Sequence, residues 1–205
     1  LGDKVQLFDN GTLNAEGKDV VVIGGGDTAM DCVRTSIRQK AKSVKCLYRR
    51  DRENMPGSAR EVNNAEEEGV EFIWQSLPIN MNVLKNGYQI ECVKMRLSEP
   101  DADGRRTPQQ IEGSEFNLKA DMVIAALGFS PENLPTLFNV KDLPVTKWGT
   151  VRVGFNTMMT DIDGVFAAGD IVRVASIVVR ALKDGRDAAT SIESCLQSKQ
   201  KMTLA

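Results

Sequence analysis

The first sharp signal along the chain is a buried apolar run, VVVI at 20–23, that ends in three glycines. Its β-branched residues predict a strand packed on both faces. From Asp27 to about Lys40 the apolar positions Ala29, Met30, Val33 and Ile37 recur at helical spacing. A second apolar strand is expected over Val44–Tyr48. Strand, helix and strand together give one β-α-β unit of the length a parallel crossover needs. A further helix is expected from Pro56, which suits a first helical turn, to Gly69, which suits the position just past a helix end. Ala59, Val62 and Ala65 form its apolar face, and Glu66-Glu67-Glu68 reads as a solvated face. VEFIW at 70–74 is then a third strand.

From Asn82 to Lys119 the pattern changes to period two. YQIECVKMRL alternates, EPDADGRR is a turn, and SEFNLK begins a return strand. ADMVIAALG is another buried strand, ending at Gly128. A polar segment and a short strand pair around Trp148-Gly149 are expected after it. The stretch GVFAAGDIVRVASIVVRALKDGRDAA closes the pattern, as an apolar strand running into Gly169-Asp170 and then an amphipathic helix. The fold class expected is α/β, a Rossmann-like domain with a parallel sheet and an added β-meander. The domain reading is a connecting segment at 1–17, a nucleotide domain at 18–127 and a second domain at 128–205.

Composition narrows the classes. The 205 residues are 41% hydrophobic and 26% charged, with a net charge of −2, so bulk charge gives nucleic-acid binding no support. No run of the sequence is long and apolar enough for a membrane span, and no charged-then-apolar leader opens it. There is no histidine, which removes imidazole acid–base chemistry and His metal ligation. Cys32, Cys46, Cys92 and Cys195 form no C-x-x-C, so neither a redox disulfide nor a metal ligand set is expected. Buried thiols in a reducing cytoplasm are the reading that remains.

The chemistry lies in the glycines. Gly24-Gly25-Gly26-Asp27-Thr28-Ala29 fits the dinucleotide fingerprint G-x-G-x-x-A, with a strand before it and a helix after it. Gly24 allows the turn, Gly26 lets a pyrophosphate approach the backbone, and Ala29 keeps helix and strand close. Helix amides then face the pyrophosphate. The second strand ends in YRRDR, where Arg49, Arg50 and Arg52 surround Asp51. A carboxylate at this point selects a free ribose hydroxyl, whereas arginines select a 2′-phosphate. NADP(H) is therefore favoured over NAD(H), the alternative being an exposed charged loop.

Taken in order, VVVIGGGDTAMDC, YRRDRENMP, EEGVEF, LKADMVIAALG and GVFAAGDIVR resemble the small (beta) subunit family of NADPH-dependent glutamate synthase. They are also similar to domains of dihydropyrimidine dehydrogenase and of NADPH–ferredoxin transhydrogenases. The resemblance runs from about Lys18 onward. It implies NADPH contacts at Gly24, Gly25, Gly26, Asp27, Thr28, Arg49, Arg50 and Arg52, and at the strand end Ala126-Leu127-Gly128. It implies FAD contacts from Gly169 to Val178. Asp170 would take a ribityl or pyrophosphate-side hydroxyl, and helix-start amides near Ala175 and Ser176 would face the flavin, with Ile177 and Val178 also in contact. Asp170 could instead simply cap a helix.

The implied activity is passage of a hydride from NADPH to FAD, with electrons leaving through iron–sulfur clusters to the large (alpha) glutamate synthase subunit or an equivalent acceptor. The implied protein is cytoplasmic, with a homodimer as a further option, and has no nucleic-acid or membrane partner. Three features depart from the family pattern. The first FAD fingerprint and the cluster cysteines do not appear in the sequence. Val174 and Arg180 stand where relatives often carry glycine and a small or apolar residue. The first two departures lead one to expect a piece of a longer flavoprotein. A non-catalytic NADP(H)-binding module is the alternative from another class. An independent disulfide reductase is disfavoured by the cysteine spacing.

Overall fold

A computed structural model of the chain describes residues 13–99, 106–174 and 176–203. They fall into two compact units that part between Gly128 and Phe129. Each is built on a different principle.

In the first unit, β1 (Asp19–Ile23) is flanked by parallel β2 (Ser43–Leu47) and β8 (Met122–Ala125), with β3 (Glu71–Ile73) outside β2. Val22 pairs with Cys46 on one side and Ile124 on the other. After Asp19 the central strand is apolar because both faces are covered. Val20 and Val22 face α1 (Asp27–Arg38) and α2 (Ala59–Glu67), in a core with Ala29, Met30, Val33, Val62 and Ala65. Val21, pointing the other way, packs with Leu47, Ile90, Cys92 and Ala120. That second core lies under an antiparallel layer in which β5 (Gly87–Leu97) pairs with β4 (Ser76–Leu84), β6 (Pro108–Gln110) and β7 (Phe116–Ala120). The expected α/β class and parallel sheet are both present.

Two elements begin away from their expected places. α2 starts at Ala59, so Pro56 is not in its first turn. The amide of Gly57 donates to the carbonyl of Gly25 at 2.8 Å, which ties the preceding residues to another part of the chain. The far end is as expected. Gly69 takes φ 98°, its amide reaches Glu66 and that of Val70 reaches Ala65, the double bond that terminates a helix on a left-handed glycine. β4 starts at Ser76 and not near Asn82. It is an edge strand, and a register break between Pro78 and Asn80 absorbs the proline. The expected EPDADGRR turn lies largely outside the described residues, as does most of the expected connecting segment.

In the second unit two expected strand features reduce to single bridges. Val145 pairs with Val151 around Trp148-Gly149, and Met159 pairs with Phe166 before Gly169. The expected amphipathic helix is interrupted. A short α4 (Asp170–Arg173) stops at Val174, whose φ of 65° and ψ of 174° cannot continue a helix. α5 (Val178–Thr203) then runs for 26 residues. α3 (Leu134–Leu137) is a single turn capped by Asn133.

Candidate nucleotide site

The parallel strands β1, β2 and β8 end side by side, and a cleft of about 550 Å³ opens at their carboxyl ends. This is where an open α/β sheet places a ligand. Gly24, Gly25, Gly26, Thr28, Arg49, Ala126, Leu127 and Gly128 all line it. The sequence places these residues in three separate stretches, and the sheet order brings them together.

Each glycine has its own reason. A Cβ on Gly24, at φ 150°, would lie 2.3 Å from the carbonyl oxygen of Ala126, so β8 approaches the turn too closely for any side chain. A Cβ on Gly25 would lie 2.3 Å from the ring of Tyr48. One on Gly26 would meet no protein atom within 4 Å, although Gly26 lines the cleft. Space at that point is open for a ligand. Gly26 also precedes α1, and no side chain caps the helix. Among the described residues the amides of Asp27 and Thr28 accordingly have no protein acceptor. A 12-residue helix thus points its free donors and positive end at the cleft rim.

The three arginines do not act alike. Arg49 lines the cleft. Arg50 stands outside the lining, with its Nε buried and lacking a hydrogen-bond partner. Arg52 is turned to α2, where it pairs with Glu66 and donates to Asn63 Oδ1 at 2.6 Å. Asp27 also stands outside the lining, and its Oδ1 accepts the Ser58 amide at 2.9 Å. Open space at Gly26, free helix amides and an arginine on the wall fit a phosphate-bearing nucleotide.

Tyr48, Pro56, Ser76 and Leu77 are among the further wall residues that escaped the sequence reading. Tyr48 directly follows β2, and its ring lies against the backbone of Gly25. Its phenol donates to the carbonyl of Asn54 at 2.9 Å, and its ring meets Trp74 edge-on. Burial raises the Tyr48 pKa, which keeps the phenol protonated and a donor. Burial also pushes the Cys46 thiol up to about 12 and Cys92 to about 11. Neither supplies a thiolate near neutral pH.

The second unit holds the other expected residues. Gly169 takes φ 77° and precedes α4. Asp170 Oδ1 accepts the amide of Ser176 at 3.2 Å, so that amide is occupied within the loop. α5 begins at Val178, with Ile177 accepting the amides of Arg180 and Ala181. The helix-start donors therefore lie two residues beyond the Ala175-Ser176 position expected from sequence, because Val174 breaks the helix first. Ala175 lies outside the described residues. Asp184, only 1% exposed, receives two hydrogen bonds from Arg173, at 2.5 and 2.9 Å, and holds the loop from behind. The Arg173 guanidinium, by donating these bonds, lowers the Asp184 pKa, and the Gly169 amide adds to the effect.

Among the described residues no cluster of His, Cys, Asp or Glu could hold a metal, and no helix is long and apolar enough to cross a membrane.

Known proteins share both the sequence and the fold. The glutamate synthase (NADPH) small chain of Azospirillum brasilense is 60% identical over 205 residues, covering 100% of this chain and 42% of its own length. That of Escherichia coli is 47% identical over 194 residues, covering 92% of this chain and 41% of its own. The chain thus spans less than half the length of these relatives. Mycobacterium tuberculosis FprA in complex with NADPH superposes with a TM-score of 0.73 at 14% identity, over 96% of this chain and 56% of that one. Lactococcus lactis thioredoxin reductase gives 0.72 at 20% identity, over 94% and 57%. These last two show a shared fold. The sequence profile of the pyridine nucleotide-disulphide oxidoreductases matches residues 3–185, and the chain belongs to that family.

Proposed function

We propose that the chain supplies the NADP(H) site, and the C-terminal part of an FAD site, of an oxidoreductase of the NADPH glutamate synthase small-chain type. The observation that carries this is the cleft, where free α1 amides, the open space at Gly26 and Arg49 lie on one wall system. The α1 amides hold the pyrophosphate, and Arg49 takes the 2′-phosphate by a charge-assisted bond. Arg50 adds positive potential behind it. Ala126, Leu127 and Gly128 form the opposite lip, where the cleft lies open at the end of β8.

The segment Gly169–Val178 is the FAD-side part of this reading. Asp170 fixes the loop, and the first free amides of α5 offer a positive helix end to the ring system. FAD, when bound, supplies the acceptor for the hydride. The roles of this chain are then to bind and orient, which is most of what hydride transfer asks of a protein. In the intact protein, electrons would pass through iron–sulfur clusters to a large subunit or equivalent acceptor. No cluster ligand is assigned to this chain. Asp27 and Arg52, implied as ligands by resemblance, are occupied by loop and helix partners, so Arg49 carries the phosphate selectivity.

The test is the dissociation constant of NADPH and of NADH for the chain and for Arg49→Glu. NADPH is expected to bind at least about tenfold tighter, and the reversal to remove that preference. Equal affinities for the two dinucleotides in the unaltered chain would overturn the selectivity.

A further inference from the structure

Residues 51–58 run from the end of the arginine stretch back over the fingerprint turn, and four contacts tie them there. Gly57 donates its amide to the Gly25 carbonyl at 2.8 Å, and Ser58 donates its amide to Asp27 Oδ1 at 2.9 Å. The Tyr48 phenol donates to the Asn54 carbonyl at 2.9 Å. Met55 is buried in the same core as Met30 and Tyr48. Gly57 allows this approach, since a Cβ there would lie 3.1 Å from the Gly25 oxygen. Inside the loop, Asp51 Oδ1 accepts both the amide and the side-chain nitrogen of Asn54. The result puts Pro56 on the cleft wall with Arg49 at the root of the same loop.

Asp27 poses a problem that this arrangement solves. It is the first residue of α1, next to the amides that would hold a pyrophosphate. A carboxylate there repels an anionic ligand, so direct contact with the nucleotide would weaken binding. Its bond to Ser58 gives the carboxylate another task.

We infer that Asp27 and Tyr48 are positioning residues that clasp the 51–58 loop onto the fingerprint turn, so that the phosphate-binding amides and Arg49 are presented together. This rests on the nucleotide reading above and names the residues that set its geometry. Asp27 acts as a hydrogen-bond acceptor and not as a charge. A neutral acceptor of the same shape should therefore serve as well or better, whereas removal of the acceptor should release the loop.

Three variants of the full 205-residue chain test this: Asp27→Asn, Asp27→Ala and Tyr48→Phe. The readouts are the dissociation constants of NADPH and NADH, and amide hydrogen exchange at Gly57 and Ser58. Asp27→Asn is expected to bind NADPH at least as tightly as the unaltered chain, with exchange unchanged. Asp27→Ala and Tyr48→Phe are expected to bind NADPH about two- to tenfold more weakly, with faster exchange in the loop. NADH, which lacks the phosphate Arg49 reads, should lose less. Equal weakening by Asn and Ala would show that the charge itself matters and overturn the inference. Faster loop exchange with unchanged NADPH affinity would overturn it as well, while leaving the nucleotide site standing. An unaltered chain that binds neither dinucleotide would overturn both the clasp and the nucleotide reading.

Discussion

The two units handle apolar surface in opposite ways. In the first, α1 buries Ala29, Met30 and Val33 completely against a parallel sheet whose other face is covered by the antiparallel layer. In the second, β structure is limited to two single bridges among the described residues. Its long helix α5 buries Asp184 and Ala188, yet leaves Val178, Val179, Leu182 and Leu196 exposed. Exposed Arg173 pairs with buried Asp184 and ties α5 to the residues before Val174. The first unit thus draws its order from ladders and a layered core, and the second from a smaller set of buried apolar residues, such as Val151 and Met158, together with specific polar ties. Their responses to substitution should differ accordingly.

The largest effect is expected in the first unit. Met30 is 0% exposed and sits between both helices and β1. Met30→Ala should lower the unfolding free energy by about 2–5 kcal/mol, as read by urea denaturation followed by Tyr and Trp fluorescence. A loss below about 1 kcal/mol would mean that this core is looser than its packing implies.

Next comes the polar tie of the second unit, which should be sensitive to acid. Hydrogen bonding from Arg173 lowers the Asp184 pKa below the ordinary value of 3.8. The unfolded state then binds the proton more readily than the native state does. Stability from this pair is fully present above about pH 4 and is lost as pH falls through the lowered native value. Asp184→Asn should reduce the melting temperature at pH 7 and flatten its decline below pH 4. Parallel acid profiles for the two proteins would remove the pair from the list of supports.

Val174 offers a change in the other direction. Its φ of 65° with ψ of 174° is a region populated almost only by glycine, and a β-branched side chain there is strained by about 1–3 kcal/mol. Val174→Gly relieves that strain but loosens the unfolded chain, which offsets up to about 1 kcal/mol. A net gain of about 1 kcal/mol is expected, visible as a higher melting temperature. A lower one would show that Val174 contributes through packing.

These contrasts also mark how far the sequence could be read. The β1–α1–β2 unit was legible because Val20–Ile23 and Ala29, Met30 and Val33 carry the strand and helix periods without ambiguity. The glycine fingerprint was legible for the same reason, since a strand and a helix frame it. β4 was hidden by Pro78, which only an edge position with a register break can accept. The division of labour among Arg49, Arg50 and Arg52 was not legible, because it depends on α2 bringing Asn63 and Glu66 against Arg52. Tyr48 was missed because its role is contact with Gly25 and Asn54, and no local pattern encodes either. In the second unit the helix interruption escaped notice because apolar periodicity runs straight through Val174. Only the backbone angle there, and the bond from Ser176 to Asp170, reveal the break.

The smallest effect sharpens the comparison most. Leu182 lies on α5 as Met30 lies on α1, both large apolar residues within a helix, but it is 69% exposed. If the exposed stripe has no partner in the isolated chain, Leu182→Ala removes no buried area and should change stability by no more than about 0.5 kcal/mol. Alanine's helix propensity should even offset part of that. The result must be read at two protein concentrations, since association through the stripe would bury Leu182 and make the substitution destabilising as concentration rises. A concentration-independent loss approaching that of Met30→Ala would break the comparison, for it would mean that the second unit covers this face as thoroughly as the first unit covers α1.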